Sequence, residues 1–268
     1  RSSAASDVYK RQDTRTTMKA IILAAGKGQR LQPHTNEIPK CLLTLDNQTI
    51  LEHQINHLKS CDVEEVNVVV GFAKNKVEEF LGNYDSLGMK INTIYNPFWE
   101  TTNSLFSLWA ARFQLNSDVV LLNGDDVFEL EVMTQILSNK DDICVPYKVK
   151  KSYAAEDMKI KIKDGLLSSI GKNLKNASGE SVGVRVFRNE GVEILKRSLE
   201  KEIRTENFNL KWYASSIERI LQRGHKIKTL DIGDLYWHDV DYPNDLDNAK
   251  LNINKIASKK TTTKLKIV

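Results

Sequence analysis

The sequence has few of the residues that would place it in several common classes of protein. Its only cysteines, Cys41, Cys61 and Cys144, share no CxxC spacing and lie in apolar segments, so we expect free thiols of a cytoplasmic protein, without disulfides. None of the five histidines has the HExxH spacing of a zinc hydrolase. The five prolines and 13 glycines are scattered, which excludes a collagen-like or disordered chain. No apolar run reaches the roughly 18 residues of a membrane-spanning helix, so no membrane insertion is expected.

Concentrated charge is also scarce. The formal net charge of the 268 residues is only +4, which predicts no nucleic-acid partner. Residues 1–17 show no apolar periodicity, and residues 2–12 resemble translated adaptor sequence, so we expect a leader outside the fold and a natural start at Met18. No apolar segment follows its basic residues, which argues against a secretion signal. Residues 258–268, which include Lys259, Lys260, Lys264 and Lys266, are expected to form a polar tail.

The apolar pattern predicts a single α/β domain over 18–257. In a first half, about 18–147, strand-sized apolar runs alternate with amphipathic segments, which is typical of βαβ units and a Rossmann-like, mostly parallel sheet flanked by helices. In a second half, about 148–257, shorter strands and two helices predict a small mixed β lid. Strands are expected at 19–24, 66–70, 91–95, 119–122, 143–145, 158–162, 166–170 and 181–187.

Helical spacing marks four segments of this domain. The first two are set by Leu51, Ile55 and Leu58 and by Leu105, Leu108, Trp109 and Phe113; we assign the two aromatic rings to the core. The last two are set by Val192, Leu195 and Leu199 and by Ile217, Ile220 and Leu221. Because ligands bind at the carboxyl ends of parallel strands, we expect the loops 25–40, 96–104 and 123–127 to converge there.

A glycine-rich loop directly follows the first strand. Gly26 and Gly28 flank Lys27, so the backbone can turn tightly and present successive N–H groups to phosphate oxygens, while Lys27 and Arg30 add positive charge. A dinucleotide fingerprint needs a third glycine where Leu31 stands, and a Walker A loop needs Gly-Lys-Ser/Thr. The loop therefore predicts phosphate binding of another kind; an ordinary βα turn with solvated charges is the alternative.

Two acidic segments occupy positions that suit a metal ion. Asp125 and Asp126 follow the strand at 119–122, and Asp239 and Asp241 alternate in a strand-like segment before the last helix. Mg²⁺ takes one or two protein carboxylates together with substrate phosphates. The alternatives are an Asx turn after the strand and, for Pro243 and Asp245, the N-terminal turn of the helix.

Lys40 follows Pro39 and precedes an apolar run, so it can be fixed close to the glycine-rich loop. Pro33 and Pro39 stiffen the loop that carries it. A solvent-exposed surface lysine is the alternative interpretation of Lys40 alone.

These segments together resemble a known family. The stretch from Ala24 to Leu42 matches the pattern A-A-G-x-G-x-R-L-x-P-x-T-x-x-x-P-K-x-L of sugar-phosphate and phosphocholine nucleotidyltransferases, members of the NTP transferase superfamily. Similarity continues through most of 18–251. Gly124-Asp125 resembles the family's first metal-binding segment, and 237–246 resembles the second. The segments 95–109, 157–159 and 181–183 are most similar to the phosphocholine cytidylyltransferase-like and phosphonate cytidylyltransferase-like branch, although Ser104 stands where many relatives have a second asparagine.

The resemblance implies a fold of the nucleotide-diphospho-sugar transferase type and a role for each matching residue. The catalytic residues would be Lys40, Arg30 and Lys172, of which both lysines orient the acceptor phosphate. Mg²⁺ would be held by Asp125 and Asp241, with Asp239 as the competitor for the second position. The residues implied in nucleotide binding are Leu23, Ala24, Ala25, Gly26, Lys27, Gly28, Arg30, Gly124 and, beside the cytosine base, Asn103 and Ser104.

The resemblance also implies an activity. The enzyme would transfer CMP from CTP to a phosphorylated or phosphonate small molecule such as phosphocholine or 2-aminoethylphosphonate, and would release pyrophosphate. The cationic end of such an acceptor would meet aromatic faces or carboxylates. The candidates for that contact are Tyr147, Tyr153, Asp157, Glu180, Trp212, Tyr213 and Tyr236.

Two alternative functions stay open. Within the same superfamily, the chain could be a sugar-1-phosphate or inositol-1-phosphate nucleotidyltransferase. In another class, it could be a catalytically silent module that binds nucleotide for regulation. The second alternative predicts loss of Arg30, Lys40 or the acidic pair, and all of these are present.

Overall fold

The computed structural model describes residues 18–265, which contain twelve strands and seven α-helices. The predicted leader lies outside the described residues. The strands are β1 Lys19–Ala24, β2 Glu65–Val70, β3 Lys90–Tyr95, β4 Val119–Asn123, β5 Asp126–Phe128, β6 Ile143–Lys148, β7 Lys159–Lys163, β8 Leu166–Gly171, β9 Gly179–Ser181, β10 Val184–Phe187, β11 Lys228–Asp231 and β12 Trp237–Asp239. The helices are α1 Ile50–Ser60, α2 Lys74–Asn83, α3 Ser104–Ala110, α4 Leu130–Ser138, α5 Asn189–Glu202, α6 Ala214–Gln222 and α7 Pro243–Leu265.

Ten of these strands form one sheet in the order β11-β8-β7-β9-β6-β10-β4-β1-β2-β3. The strands β3, β2, β1 and β4 are parallel neighbours, in which Ile22 of β1 lies opposite both Val68 and Leu122. From β10 onward most pairs are antiparallel, with β11 returning parallel to β6. The predicted Rossmann-like α/β class is therefore confirmed, and the expected mixed lid is a direct continuation of the parallel sheet.

Successive residues of β1 point into two separate apolar layers. Ile22 belongs to a cluster that covers one face of the sheet with side chains of α1, α2 and α4. Ile21 belongs to a second cluster, on the opposite face, formed with α3, α5 and α6. Strands covered on both faces bury nearly every side chain, which explains the apolar run of β4 and the run of β2 that only Asn67 interrupts.

Helix α1 fixes the turn that follows β4. It begins at a capping box in which Thr49 accepts a hydrogen bond from the Glu52 N–H. Its buried Gln54 side chain donates to the backbone carbonyls of Asn123 and Asp126, both at 2.8 Å. Two hydrogen bonds between uncharged groups therefore fix the short segment 123–126, which carries Asp125, against helix α1.

The strand predicted at 181–187 is divided into β9 and β10. The division falls at Gly183, whose carbonyl accepts a hydrogen bond from the Asn123 N–H at 3.0 Å. A side chain at this position would overlap the Asp126 carboxylate and the Asn123 amide. The close approach of the turn after β4 therefore interrupts what the apolar pattern presents as one strand.

The assignment of Phe113 to the core was wrong. Helix α3 ends at Ala110, and Phe113 lies in a short 3₁₀ turn with 70% of its surface exposed. The Arg112 guanidinium lies 4.2 Å from its ring centroid. Trp109, by contrast, packs against the second apolar cluster as expected.

Other expectations concern the cysteines, the polar tail and the membrane. Cys41, Cys61 and Cys144 are all free thiols, as predicted. Helix α7 continues to Leu265, so most of the expected polar tail is helical, and its last three residues lie outside the described part. Within residues 18–265, no helix combines the length and the apolar character that crossing a bilayer requires.

Replacement of Gly183 by alanine tests the close approach of β10 to the turn after β4. The added methyl group overlaps a buried carboxylate, so the free energy of unfolding is expected to fall by about 1–3 kcal/mol. Gly82→Ala is the matched control, because its new methyl group meets open space near the end of α2 and a helical alanine should stabilise the chain by up to about 1 kcal/mol. Urea unfolding measures both; equal stability of the two variants would contradict the proposed contact.

Candidate active site

A cavity of about 660 Å³ lies at the carboxyl ends of β1 and β4. The loops 25–40, 96–104 and 123–127 all contribute to its wall, as expected. The rest of its wall comes from the second half of the chain, from β9, β10, β12, the start of α6 and the segments that join the strands and helices. The wall residues of the second half are Glu156, Met158, Lys172, Glu180, Ser181, Arg185, Trp212, Tyr213, Ala214, Trp237, Asp239 and Asp241.

The glycine-rich loop leaves β1 as an open turn. Gly28 has φ 69° and ψ 47°, the left-handed conformation that favours glycine, and a 3₁₀ turn begins directly after it. Thr35 closes the loop by donating its hydroxyl to the Gly28 carbonyl at 2.7 Å. No described acceptor takes the N–H groups of Gly26, Lys27 or Gly28, so these groups are free to bind phosphate oxygens.

The loop and the turn after β4 are joined through their backbones. The Gly124 N–H donates to the Leu23 carbonyl at 2.9 Å. A side chain at Gly124 would come within 2.7 Å of that oxygen and 2.9 Å of the Ala24 backbone. Because Gly124 has no side chain, Asp125 can lie next to the glycine-rich loop, where residues 23–28 are predicted to bind nucleotide.

Lys40 is the centre of a charged cluster. Its Nζ lies 2.7 Å from Asp125 Oδ2 and 2.7 Å from Asp241 Oδ1. Arg30 Nη2 lies 2.5 Å from the other oxygen of Asp241, and the Arg30 guanidinium stacks on the Tyr242 ring. Burial works against the charge of Lys40, but the carboxylates of Asp125 and Asp241 outweigh it and raise the pKa of Lys40.

The carboxylates around Lys40 are not equivalent. For Asp241, burial is outweighed by Lys40 and then Arg30, which lower its pKa. For Asp239, burial and then the charges of Asp125 and Asp241 raise the pKa. Asp126 is fully buried opposite Asp239 in the β5–β12 pair, and burial, followed by Asp125 and Asp239, holds its pKa well above the usual range.

The chemistry of this donor set fits a divalent cation. Asp125, Asp239 and Asp241 supply carboxylate oxygens that repel one another, and hard oxygen ligands are what Mg²⁺ binds. As the chain stands, no three acidic, histidine or cysteine side chains of the described part converge on one point. The Lys40 ammonium lies between Asp125 and Asp241 instead, so a metal held by both would have to displace it.

The N-terminal turn of α7 orients the second acidic segment. The Asp245 carboxylate accepts hydrogen bonds from the N–H groups of Asp241 and Tyr242, at 3.0 and 2.6 Å, and lies 3.0 Å from His238 Nε2. Asp245 therefore has the capping role that the sequence suggested. This cap fixes the backbone that presents Asp241 to Lys40.

Asn103 and Ser104 both line the cavity. Asn103 is the N-cap of α3, and its side-chain oxygen accepts from the Ser104 N–H at 2.8 Å. The Ser104 hydroxyl accepts from the Tyr213 N–H at 3.1 Å. The pair therefore joins the starts of α3 and α6 at the edge of the cavity, and its contact with a base stays a prediction.

Only part of the predicted acceptor set reaches the cavity. Glu180, Trp212 and Tyr213 line it, together with Lys172, whose Nζ lies 4.2 Å from the Trp212 ring centroid. Burial and then Arg30 lower the pKa of Lys172. Glu180 is buried and forms an ion pair with Lys150, and burial raises its pKa to about 7.

The remaining four candidates lie elsewhere. Tyr147 packs against the second apolar cluster and Tyr236 against a third, beside α7. The Tyr153 hydroxyl accepts from the Lys150 N–H, and the Asp157 carboxylate accepts from the Ala154 N–H. Each therefore has a structural contact in place of the expected position on the cavity wall.

Sequence reasoning missed Arg185, Ser181 and Trp99, and it left Asp126 without a role. All four line the cavity. A charged residue between Val184 and Val186 in an apolar strand was the available signal for Arg185. No local pattern marks the other two missed residues.

The fold and the cavity define the class of protein. A parallel sheet carries a glycine-rich loop and a lysine–carboxylate cluster at the carboxyl ends of its strands, which is an architecture for binding a nucleotide through its phosphates. Residues 20–198 match the MobA-like NTP transferase domain, and the chain belongs to this family of nucleotidyltransferases.

Two curated relatives cover most of the chain. A CMP-5'-(3-aminopropyl)phosphonate synthase of Streptomyces rubellomurinus is 31% identical over 241 residues, which are 87% of this chain and 38% of that protein. The chain therefore spans well under half of this relative. A CTP:phosphoglutamine cytidylyltransferase of Campylobacter jejuni is 25% identical over 253 residues, 86% of this chain and 98% of that protein.

Solved structures show the same fold. The CTP:phosphocholine cytidylyltransferase of Streptococcus pneumoniae has a TM-score of 0.74 at 18% identity, over 88% of this chain and 99% of that one. The inositol-1-phosphate CTP transferase of T. maritima has a TM-score of 0.73 at 20% identity, over 86% and 91%.

Because the pKa shifts of Asp241 and Asp239 have opposite signs, replacing each by asparagine should change the free energy of unfolding of the metal-free enzyme in opposite directions. The lowered pKa of Asp241 means that this carboxylate contributes stability above its unfolded pKa of about 3.9, which is lost as the pH falls through the lower folded value. Asp241→Asn should therefore cost about 2 kcal/mol at pH 7, and progressively less below about pH 4.

Asp239→Asn is the matched control for this prediction. The raised pKa of Asp239 means that its charge destabilises the folded chain above the unfolded pKa, so the substitution should stabilise by about 1 kcal/mol at pH 7. Urea unfolding with EDTA between pH 3 and 8 measures both variants. Effects of the same sign at pH 7 would refute the charge arrangement.

Proposed function

We propose that the protein is a cytidylyltransferase, which transfers CMP from CTP to a phosphorylated or phosphonate small molecule and releases pyrophosphate. The observation that carries this proposal is the placement of Lys40 between Asp125 and Asp241, directly beside an open glycine-rich loop. The choice of CTP is supported by the relatives: the one from Streptomyces rubellomurinus is named as the synthase of a CMP-linked phosphonate, and the one from Campylobacter jejuni as a CTP-using cytidylyltransferase.

In the proposed complex, the free N–H groups of 26–28 bind the β- and γ-phosphates, and Lys27 and Arg30 add positive charge. The base then extends toward Asn103 and Ser104, which line the same cavity. This placement leaves the α-phosphate above the turn that carries Asp125.

The reaction needs positioning and charge neutralisation and no covalent nucleophile. An oxygen of the acceptor phosphate or phosphonate attacks the α-phosphorus, a new P–O bond forms, and the bond to the β-phosphate breaks with its electron pair leaving on pyrophosphate. The positive charges of Lys40 and Lys172 reduce the repulsion between the anionic acceptor and the triphosphate. Mg²⁺ fits the oxygens of Asp125 and Asp241, or Asp239, and would supply further positive charge at the α-phosphate.

An inositol-1-phosphate or sugar-1-phosphate acceptor is the second candidate. The observation that favours it is the fold similarity to the inositol-1-phosphate CTP transferase of T. maritima. Both candidates use the same nucleotide half of the cavity, so they differ only in the groups that meet the acceptor. A silent nucleotide-binding module has no support from the cluster, in which Arg30, Lys40, Asp125 and Asp241 are all in contact.

Pyrophosphate release tests the proposal across a matrix of four nucleoside triphosphates and several acceptors, each with and without Mg²⁺. Turnover is expected with CTP, a phosphate or phosphonate acceptor, and Mg²⁺. Activity only with a hexose 1-phosphate or inositol 1-phosphate would establish the second candidate. CTP binding by calorimetry without turnover on any acceptor would establish the silent module.

Asp125→Ala is expected to lower kcat by about 10³-fold, roughly 4 kcal/mol of transition-state stabilisation, because it removes a carboxylate placed to hold the metal. Glu79→Ala is the control, since Glu79 is an exposed acidic residue of α2. Unfolding curves of both variants should match the parent within about 1 kcal/mol. Near-normal turnover of Asp125→Ala would overturn the metal assignment.

A further inference from the structure

Arg185 is a buried cation that lines the cavity. It is only 2% exposed, and it belongs to β10, where its neighbours Val184 and Val186 are apolar core residues. Its Nη2 donates to the Ser181 hydroxyl at 2.6 Å. Its Nε and Nη1 are buried and donate to no acceptor in residues 18–265.

The surroundings of Arg185 neutralise its charge only in part. The Asp126 carboxylate favours the charged guanidinium, but no ion pair joins the two side chains within the described chain. The Tyr213 ring lies 4.8 Å from the guanidinium carbon. Burial lowers the pKa of Arg185 to about 10, so the side chain stays charged at neutral pH. Donors that are left unpaired on a buried charge destabilise the folded chain.

Arg185 is separate from the charged cluster in its contacts. Arg30 and Lys40 both pair with Asp241. Among the described residues, Arg185 instead contacts the Ser181 hydroxyl and the Tyr213 ring. The cavity therefore presents two distinct cationic positions.

The aromatic rings of the acceptor side already face protein cations. The Lys172 ammonium lies 4.2 Å from the Trp212 ring centroid, Arg185 lies 4.8 Å from Tyr213, and Lys150 lies 5.7 Å from Trp237. A cation–π contact needs a free ring face within about 6 Å. Each of these three rings therefore already has a protein cation within that distance of its centroid.

We propose that the acceptor carries a second anionic group, a carboxylate, and that Arg185 binds it while Lys40 and Lys172 bind the phosphate or phosphonate. The inference rests on the proposed cytidylyltransferase function and names the acceptor class: a phosphate or phosphonate with a carboxylate, in place of a quaternary ammonium compound. A charge-assisted hydrogen bond from Nε or Nη1 satisfies the buried donors of Arg185.

Matched acceptor pairs test the inference on the unmodified enzyme. L-phosphoserine is phosphoethanolamine with an added carboxylate, and 2-amino-3-phosphonopropionate is 2-aminoethylphosphonate with an added carboxylate. With CTP and Mg²⁺, each carboxylate-bearing member is expected to bind at least about 10-fold more tightly than its partner by calorimetry, and phosphocholine more weakly than both. Equal affinity within both pairs, or tighter binding of phosphocholine, would overturn the inference.

Arg185→Met and Arg185→Lys identify the residue responsible. Arg185→Met is expected to abolish the difference within each pair through KM, with CTP affinity unchanged, and Arg185→Lys to restore part of it. If Arg185→Met weakens both members of a pair equally, the guanidinium binds the phosphate or phosphonate, and the second anionic group is refuted. If Arg185→Met does not fold, Arg185→Lys and the unmodified enzyme decide.

The two proposals fail in different ways. A lack of pyrophosphate release from CTP with every acceptor in the matrix is a failure of the proposed function. Turnover with phosphocholine or with a carboxylate-free phosphonate at full efficiency leaves the cytidylyltransferase intact and removes only the role of Arg185.

Discussion

The charge of Lys40 is the interaction on which the site depends. Its ammonium contacts carboxylates from two segments that are 116 residues apart in the chain, the turn after β4 and the start of α7. Without a cation at this point, Asp125, Asp239 and Asp241 would repel one another in a half-buried cavity, because charges in such surroundings interact more strongly than in water. The lysine that the proposed reaction uses also holds the unliganded site together.

Contacts that do not involve Lys40 or Arg30 keep those carboxylates in place. The Gln54 amide holds the turn that carries Asp125, and the α7 cap holds the backbone of Asp241. Gly124 and Gly183 let that turn approach β1 and β10 without side chains between them. Because none of these contacts uses Lys40, the ammonium can move from the carboxylates to the acceptor phosphate or phosphonate of the proposed reaction while the surrounding contacts stay in place.

The first half of the chain could be predicted from the sequence because the residues that determine its structure are close together in the chain. β1, the glycine-rich loop and Lys40 fall within about 25 consecutive residues, and the apolar runs of β2 and β4 follow from burial on both faces. The second half of the chain could not be predicted equally well. The division between β9 and β10 depends on a turn 60 residues away, and Tyr147, Tyr153, Asp157 and Tyr236 were candidates by residue type alone.

The difference between the two halves has a physical origin. Phosphate binding uses backbone N–H groups at a strand end, which one short motif can specify. The acceptor side is built from antiparallel strands whose buried charges, Glu180 with Lys150 and Arg185 with Ser181, meet only after folding. A buried guanidinium with unpaired donors lowers the stability of the folded chain, and under the proposal made for Arg185 a ligand carboxylate offsets this cost by accepting from those donors. Under the same proposal, acceptor choice depends on buried charge more than on aromatic faces.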